Sequence, residues 1–356
     1  MLKARQCVRE MRVYHSPLCG PEIDLRLDLN ESTTGCSPRV LAKIRSLDAK
    51  LLALYPDRES GEKLLSDFLG VKAEELLLTN GADEGIDLLC RAYLDSEDEL
   101  IIIVPAFAMY EVFAQSTGAR IVRVSTAADL SFSVEKVLQA ITPRTRMIVI
   151  TNPNNPTGLA VDRADILRVL QAAPSAAVLL DEAYFDFYGQ TMMDQIGKIP
   201  NLFIARTFSK AYGLAGMRLG ALVGAVEQMS VVRRIIAPFN VNAFAIECLK
   251  EALDDRQFVA NYVEQVRSTR ESLGQQLDAM GLKYWPSFTN FLLVNFRELR
   301  QSVLDTMTAR GIALRDRPDC PGCIRISIGT PPEIERMVSV LKEIMVEKPV
   351  VQQVAK

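Results

Sequence analysis

The segment from residue 207 to residue 220 reads Thr207-Phe208-Ser209-Lys210-Ala211-Tyr212-Gly213-Leu214-Ala215-Gly216-Met217-Arg218-Leu219-Gly220. Its lysine lies between hydroxyl residues and a run of small residues that ends in Arg218. An amine attacks a carbonyl only when it is unprotonated, and burial or nearby positive charge lowers the pKa of a lysine toward that state. The hydroxyls and the planar fork of Arg218 are donors suited to a phosphate group.

A lysine that forms a Schiff base beside a phosphate site is typical of enzymes that use pyridoxal 5′-phosphate (PLP), a cofactor that acts as an electron sink. The alternative is a surface lysine in a flexible loop. This segment alone leaves both interpretations open, and the rest of the chain has to separate them.

The bulk composition indicates a soluble globular protein. With 356 residues the chain is long enough for two domains, and 49% of its residues are hydrophobic while 24% are charged. A formal net charge of −3 provides no basic surface for nucleic acid. The most apolar stretch, Leu100 to Tyr110, is too short to span a bilayer. The first residues are charged and lack an apolar core, so we expect no signal peptide and a cytoplasmic location.

Cysteine and histidine usage argues against metal and redox chemistry. The seven cysteines are scattered, and only Cys320 and Cys323 have the spacing of a metal or redox pair. A zinc site would need a second pair or histidines, and His15 is the single histidine of the chain. We therefore expect no metal site and interpret Cys320-Pro-Gly-Cys323 as a turn before a strand. A Ser-His-Asp triad would depend wholly on His15, and the glycine fingerprints of Walker A loops and Rossmann dehydrogenases are absent.

A regular alternation of strands and helices begins near residue 76. It predicts an α/β fold with a mostly parallel sheet that is covered by helices on both faces, and with ligands bound beyond the carboxyl ends of the strands. The seven predicted strands are Leu76–Thr79, Leu100–Val104, Arg120–Val124, Arg146–Ile150, Ala177–Asp181, Leu202–Ala205 and Leu219–Val223.

The pattern changes after about residue 240. One long helical stretch, Ala243 to Met280, is followed by three short strands between helices, which is typical of a smaller α+β domain that also takes in the N-terminal segment. A further helix is predicted over residues 38–52. The predicted division is 1–50 for an N-terminal arm and part of the small domain, 51–240 for a large PLP-binding domain, and 241–356 for the small C-terminal domain.

Three motifs after predicted strands carry groups that a phosphate-bearing pyridine ring needs. Gly81-Ala82-Asp83 opens a helix, where glycine exposes backbone N–H groups to phosphate, although an ordinary N-cap would read the same. Phe107 follows the strand that ends at Val104, and either stacks on a ring or belongs to the core. Asn152-Pro-Asn-Asn-Pro-Thr-Gly158 is a stiff loop from which Asn155 can donate its amide to a phenolate oxygen.

Further candidate residues lie within other predicted strands or in the turns that follow them. Asp181 is suited to pair with a pyridinium nitrogen and keep the ring electron-withdrawing, with a capping aspartate as the alternative. Tyr184 lies in the same turn and can offer its hydroxyl to the phenolate oxygen. Arg325 stands in an otherwise apolar strand, where a buried cation needs a substrate anion or a structural salt bridge. Arg315 is a second candidate, and surface charge would explain it equally well.

The ordered set of motifs resembles fold type I PLP enzymes, and within them the histidinol-phosphate aminotransferase family of class I and II aminotransferases. The resemblance covers nearly the whole chain, and it implies a smaller α+β domain built from both chain ends. The segments that carry it are Leu54-Tyr-Pro-Asp57, Asn80-Gly-Ala-Asp-Glu84, Asn152 to Gly158, Asp181 to Tyr184, Thr207 to Gly220, and Gly322-Cys-Ile-Arg-Ile-Ser-Ile-Gly329.

The resemblance implies a role for each matching residue. Lys210 would hold the cofactor as a Schiff base and move a proton between the substrate Cα and the cofactor C4′, while Asp181 would pair with the pyridinium nitrogen. Asn155 and Tyr184 would hold the phenolate oxygen. Phe107 would stack on the ring, at a position where the family often has tyrosine. The phosphate would be held by Gly81, Ala82, Asp83, Thr207, Ser209 and Arg218, and by Tyr55 of a neighbouring subunit in a homodimer.

Substrate binding is implied for Arg325, supported by Arg315, Asn30 and Tyr14. The implied reaction moves an amino group between L-histidinol phosphate, or a related aromatic amino acid, and 2-oxoglutarate. The N-terminal segment matches the family only loosely around Tyr14-His15-Ser16, which leaves the amino donor open. The alternatives are decarboxylation of an amino-acid phosphate or elimination on the same scaffold, a broad-range aromatic aminotransferase, and a ligand-sensing regulator, which would normally carry a fused DNA-binding domain.

Overall fold

The computed structural model describes residues 2–14 and 22–347. Within these ranges, twelve strands form two sheets. In chain order they are β1 (Leu25–Leu27), β2 (Leu76–Asn80), β3 (Glu99–Val104), β4 (Arg120–Ser125), β5 (Thr145–Thr151), β6 (Ala177–Asp181), β7 (Leu202–Thr207), β8 (Leu219–Gly224), β9 (Lys283–Tyr284), β10 (Phe291–Asn295), β11 (Ile312–Asp316) and β12 (Cys323–Ser327).

Thirteen α-helices connect and cover these strands in the described part of the chain. They are α1 (Gln6–Glu10), α2 (Pro38–Arg45), α3 (Arg58–Leu69), α4 (Gly81–Tyr93), α5 (Met109–Thr117), α6 (Val134–Ala140), α7 (Arg163–Ala172), α8 (Phe185–Tyr188), α9 (Val226–Val232), α10 (Ala243–Asp254), α11 (Arg256–Ala279), α12 (Arg300–Ala309) and α13 (Pro331–Glu347).

The large sheet has the strand order β2-β8-β7-β6-β5-β3-β4. Strands β3 to β7 run parallel to one another, whereas β8 is antiparallel to both of its neighbours, β2 and β7. Central strands such as β6 are buried along their whole length, because helices cover both faces of the sheet and leave no polar face. The prediction of seven strands in a mostly parallel, helix-covered sheet is confirmed.

The small sheet has the order β1-β11-β12-β10-β9 and joins both ends of the chain. Its β1 pairs in parallel with β11, and residues from β1, β10, β12 and α13 share one apolar core. The predicted α+β unit built from both chain ends is therefore confirmed. Val40 of α2 and Leu249 of α10 pack in the core of the large sheet, and the domain boundaries at residues 50 and 240 stay a prediction.

Two predicted helical stretches are each divided, because an aspartate cap begins a new element inside them. The stretch 243–280 is two helices, because Asp255 accepts a hydrogen bond from the backbone N–H of Phe258 and so begins α11. The helix predicted over 38–52 ends at Arg45. Asp48 then accepts from the backbone N–H of Lys50 and begins a separate 3₁₀ turn. Hydrophobic periodicity does not detect such caps inside an apolar run.

The two sheets meet where the parallel strands end. Thr151 and Asp181 are register partners at the carboxyl ends of β5 and β6, and Arg325 of β12 donates to Asn155 in the loop after β5. This contact places the small sheet over the edge at which parallel sheets bind ligands. Across the described residues, no helix combines the length and the apolar character needed to cross a bilayer.

Candidate active site

A cavity of about 240 Å³ lies between the carboxyl edge of the large sheet and strands β11 and β12. It is lined by most of the residues that sequence reasoning selects, although they come from distant parts of the chain. These are Tyr14, Asn30, Ala82, Asp83, Phe107, Asn155, Asp181, Tyr184, Thr207, Ser209, Lys210, Arg218, Arg315 and Arg325. Two selected residues, Gly81 and Tyr55, do not line it.

Lys210 follows β7, is half-buried, and lines this cavity. Its Nζ donates a hydrogen bond to the backbone carbonyl of Leu29, at 3.0 Å. Burial is the largest cause that lowers the pKa of Lys210 to about 8, and the positive charges of Arg325 and Arg218 act in the same direction. The amine is therefore much closer to its reactive, unprotonated form than an exposed lysine is at neutral pH.

The expected phosphate site lies where α4 begins. The backbone N–H groups of the first helical turn have no partner inside a helix, which makes such a turn a site for anions. Arg218 Nη2 lies 3.0 Å from Asp83 Oδ2, so its guanidinium is at the same turn. Gly81 has a φ of +77°, and a Cβ there would lie 2.4 Å from Arg218 Nη2. Gly81 therefore shapes the site without lining it, because only glycine lets the arginine approach so closely.

Asp181 ends β6 and is buried, with hydrogen bonds to both carboxyl oxygens. The hydroxyl of Tyr110 donates to Oδ2 at 2.6 Å, and the backbone N–H of Ala183 donates to Oδ1 at 3.0 Å. Burial raises the pKa of Asp181 to about 6, and these two hydrogen bonds oppose that rise. The carboxylate is thus kept ionised near neutral pH in a setting where an isolated one would be protonated.

Arg325 links the small sheet to the loop after β5. Its Nη1 donates to Asn155 Oδ1 at 2.6 Å, and its Nη2 donates to the backbone carbonyl of Asp28. Arg325 Nε is buried without a hydrogen-bond partner among the described residues. Burial lowers the pKa of Arg325 to about 10, so the guanidinium is still charged at neutral pH. Because the Asn155 oxygen accepts from Arg325, its amide nitrogen is left to donate elsewhere, and its donation to a phenolate oxygen stays a prediction.

Asn30 and Tyr184 form a second buried link between the two sheets. Asn30 Nδ2 donates to the hydroxyl oxygen of Tyr184 at 2.8 Å. Asn30 has a φ of 55° and is held in that strained backbone conformation by Ser327, which accepts from its backbone N–H, and by Asn290, which donates to its carbonyl. The hydroxyl of Tyr184 receives a donor in this way and keeps its own proton for another acceptor.

The outer end of the cavity is less enclosed. Arg315 and Arg325 are register partners across β11 and β12, so both side chains emerge from the same face of the sheet. Arg315 Nη2 donates to the hydroxyl oxygen of Tyr14 at 3.1 Å, and Tyr14 is 40% exposed. Phe107 is half-buried and packs edge-on against Tyr110 with the ring centroids 5.6 Å apart. Its ring therefore lines the cavity in addition to packing against the core.

Sequence reasoning missed three contributors to this site. Tyr110 lies three residues after Phe107, at the start of the helix that follows it, and this nearness in the sequence was an available signal. Arg317 is two residues after Arg315, a spacing that places both on one side of an extended strand. It lines the cavity and donates to the carbonyl of Ala106 at 3.1 Å. The carbonyl of Leu29 that accepts from Lys210 has no signal in the sequence.

The remaining predictions concern residues outside the cavity. Tyr55 is 79% exposed and stacks on Phe239 with the ring centroids 4.1 Å apart. Cys320 and Cys323 are buried, and the second begins β12, as expected for a turn before a strand. The structure contains no cluster of three metal-ligating His, Cys, Asp or Glu residues within 2–14 and 22–347. His15 lies outside the described residues.

The side chains of the cavity fit PLP. A helix start with Arg218 and Ser209 suits the phosphate, and a half-buried lysine with a lowered pKa suits the aldehyde carbon. A buried carboxylate at the end of β6 suits a protonated ring nitrogen, since an ionised aspartate in an apolar interior needs a cationic partner. The unpartnered Nε of Arg325 is a donor that an acidic substrate group would satisfy.

Comparison with known proteins agrees with this geometry. The family model described as aminotransferase class I and II matches residues 22–341. A histidinol-phosphate aminotransferase of Dehalococcoides mccartyi (strain CBDB1) is 34% identical over 325 residues, which are 90% of each chain. One of Roseiflexus castenholzii is 35% identical and covers 90% of this chain and 89% of its own.

The fold is also similar to that of solved structures. The crystal structure of histidinol-phosphate aminotransferase from Sinorhizobium meliloti in complex with pyridoxal 5′-phosphate has a TM-score of 0.89 and 24% sequence identity, and the match covers 98% of both chains. At that identity the match supports the fold alone. The resemblance stated from the motifs is confirmed by the family model and by the relatives, and the chain belongs to the aminotransferase class I and II family.

Proposed function

We propose that this chain is a PLP-dependent aminotransferase that moves an amino group between L-histidinol phosphate and 2-oxoglutarate. The observation that carries the choice of amino donor is the pair Arg315 and Arg325, which face one cavity from neighbouring strands. A phosphate monoester offers three oxygens and up to two negative charges, so two guanidinium groups suit it better than one. The relatives described above carry the same donor in their names.

Different residues of this chain would hold different parts of the cofactor. The first turn of α4, Thr207, Ser209 and Arg218 would hold its phosphate, and Asp181 would accept from its ring nitrogen. Asn155 and Tyr184 both have a donor free for its phenolate oxygen, because each accepts its present hydrogen bond. When bound, PLP supplies an electron sink for the negative charge that develops at the substrate Cα.

Lys210 then acts as the general base and acid of the reaction. With its pKa lowered, Nζ can take up the proton of the substrate Cα and would deliver it to C4′ of the cofactor. The low dielectric around the buried Arg325 strengthens its attraction to a substrate anion.

We also propose that the active form is a cytoplasmic homodimer in which Tyr55 reaches the cofactor phosphate of the other subunit. Tyr55 lies outside its own cavity, and it belongs to an exposed apolar patch together with Leu52, Leu54 and Phe239. A patch of this kind on a globular protein favours association. The six cysteines within the described residues are free thiols, which suits a reducing compartment.

The proposal is tested by adding amino donors one at a time to the PLP-loaded protein and recording the absorbance of the bound cofactor. Histidinol phosphate should convert all of the bound cofactor, which its absorbance will show. Adding 2-oxoglutarate should then restore the original spectrum and form one equivalent of glutamate. Phenylalanine and tyrosine, which have a carboxylate in place of the phosphate-bearing carbon, are the comparison donors. Conversion by these amino acids alone would make the chain a broad-range aromatic aminotransferase. Release of CO₂ without consumption of 2-oxoglutarate would make it a decarboxylase.

A further inference from the structure

The hydroxyl groups of Tyr110 and Thr151 form a chain behind Asp181. Neither residue is among the cofactor contacts described above. Tyr110 comes from the first turn of α5, is 1% exposed, and donates to Asp181 Oδ2 at 2.6 Å. Its oxygen also lies 2.9 Å from Thr151 Oγ1. Thr151 and Asp181 are register partners on the parallel strands β5 and β6, so the three side chains meet on one side of the sheet.

Proton counting sets the direction of both hydrogen bonds. An ionised carboxylate can only accept, so the single hydroxyl proton of Tyr110 is used on Asp181. The hydroxyl oxygen of Tyr110 is then an acceptor, and Thr151 must be the donor to it. Burial and the charge of Asp181 both raise the pKa of Tyr110 well above its ordinary value, so the phenol keeps its proton at any working pH.

We propose that Tyr110 is a positioning residue for the cofactor: backed by Thr151, it holds Asp181 ionised and oriented toward the PLP ring nitrogen. This inference rests on the proposed function, since it requires PLP in the cavity. Tyr110 does not need to touch the cofactor to have this effect. Its hydroxyl acts through the carboxylate, and its ring supports Phe107 edge-on.

The charges around Asp181 explain why such a donor is needed. Burial raises the pKa of Asp181 most, and the negative charges of Asp83 at the start of α4 and of Glu182, next in the chain, raise it further. Tyr184 and Tyr110 are neutral phenols at working pH, and the remaining donor is the backbone N–H of Ala183. Removing the Tyr110 hydroxyl therefore raises the pKa of Asp181 further and lowers its ionised fraction near neutral pH.

The sign of the pH effect follows from this shift. Below the raised pKa, the variant carboxyl group is protonated and cannot accept from a protonated ring nitrogen. Well above that pKa, the carboxyl group is ionised in wild type and variant alike, so the two should bind the cofactor with similar affinity. A loss caused by packing alone would be the same at every pH.

The test compares the dissociation constants of PLP for the wild type, Tyr110→Phe and Tyr93→Phe, measured by titration of cofactor absorbance from about pH 6 to about pH 9. Tyr93→Phe is the matched control, because it removes the hydroxyl of a half-buried tyrosine that does not line the cavity. This hydroxyl donates to Gln228 Oε1, at a distance of 2.8 Å. For Tyr110→Phe we expect affinity to fall about tenfold near the acid end and less than about threefold near the alkaline end. The control should follow the wild type throughout.

Two results would overturn the inference: equal affinity of Tyr110→Phe and the wild type at every pH, or a loss that does not change with pH. If Tyr110→Phe does not fold, Thr151→Val decides, since it is nearly isosteric and removes only the donor behind the phenol. Thr151→Val should weaken PLP binding about twofold at the acid end of the pH range. An unchanged dissociation constant of PLP there would reject the proposed role of the Thr151 hydroxyl behind Tyr110. A wild type that binds no PLP would instead reject the proposed function itself, and the two failures are thus distinguishable.

Discussion

The two ends of the active-site cavity are built differently. At the inner end, Asp181, Asn155 and Ser209 are buried and stand on or directly after strands of the large sheet. At the outer end, Arg315 is half-buried and Tyr14, which is 40% exposed, comes from an arm near the start of the chain. The inner end is held by the large sheet itself, whereas the outer end combines a strand of the small sheet with an arm near the start of the chain.

Because of this difference, we expect the inner end to govern the reaction step and the outer end to govern substrate specificity. Groups fixed by buried strands and hydrogen bonds are preorganised, and such groups contribute most to the reaction step. Exposed groups with a single partner lose conformational entropy on binding and contribute less each. Variants of the inner end should therefore lower turnover, and variants of the outer end should mainly weaken substrate binding.

The largest expected effect is that of Lys210→Ala. It removes the amine and should lower turnover by about 10⁴-fold or more, because no other lysine among the described residues lines the cavity to carry the proton. Lys136→Ala is the matched control. Its Nζ donates to the backbone carbonyl of Thr126 at 2.8 Å, away from the cavity, and its loss should leave turnover unchanged. The measurement is single-turnover conversion of the amino donor, and substantial turnover by Lys210→Ala would remove this lysine from the mechanism.

Most of the fold could be predicted from the sequence because parallel strands covered by helices leave a strong signal. The buried run of β6, for example, has no polar face and stands out between helical segments. The breaks at Asp48 and Asp255 could not be predicted from apolar spacing, because a cap depends on one side chain that meets one backbone N–H. These two breaks depend on local hydrogen-bond geometry.

The inner end of the site was predictable for a similar reason. Asp181, Asn155 and Lys210 each follow a strand, and the carboxyl ends of parallel strands meet at one edge. The hydrogen bond from Tyr110 to Asp181 crosses 71 positions of the sequence, and the bond from Lys210 to Leu29 crosses 181. Contacts at such separations depend on the packing of whole elements, so no local pattern reports them.

The second largest effect is expected for Arg325→Lys, which tests the boundary between the two ends. Lysine keeps the charge but loses the planar fork that donates to Asn155 and to the carbonyl of Asp28. We expect kcat/KM for histidinol phosphate to fall about 100-fold, with changes in both kcat and KM, because Asn155 is released as well.

Arg270→Lys provides the control for this loss. Arg270 is half-buried and donates to the backbone carbonyl of Thr289, but it does not line the cavity. Its conservative replacement should leave kcat/KM within about twofold of the wild type. A change confined to KM in Arg325→Lys would place Arg325 wholly at the outer end and contradict its role in orienting Asn155.

The smallest effect is expected for Tyr14→Phe, at the exposed outer end of the cavity. The substitution removes one hydrogen bond, 3.1 Å long, from Arg315 to an exposed hydroxyl, and such bonds stabilise by about 0.5 kcal/mol. KM for histidinol phosphate should therefore rise about two- to threefold while kcat stays constant. Tyr284→Phe is the control, because its exposed hydroxyl donates to Asp278 at the same distance but far from the cavity. A fall in kcat with Tyr14→Phe would show that the N-terminal arm takes part in the chemistry, and the division between the two ends would then be wrong.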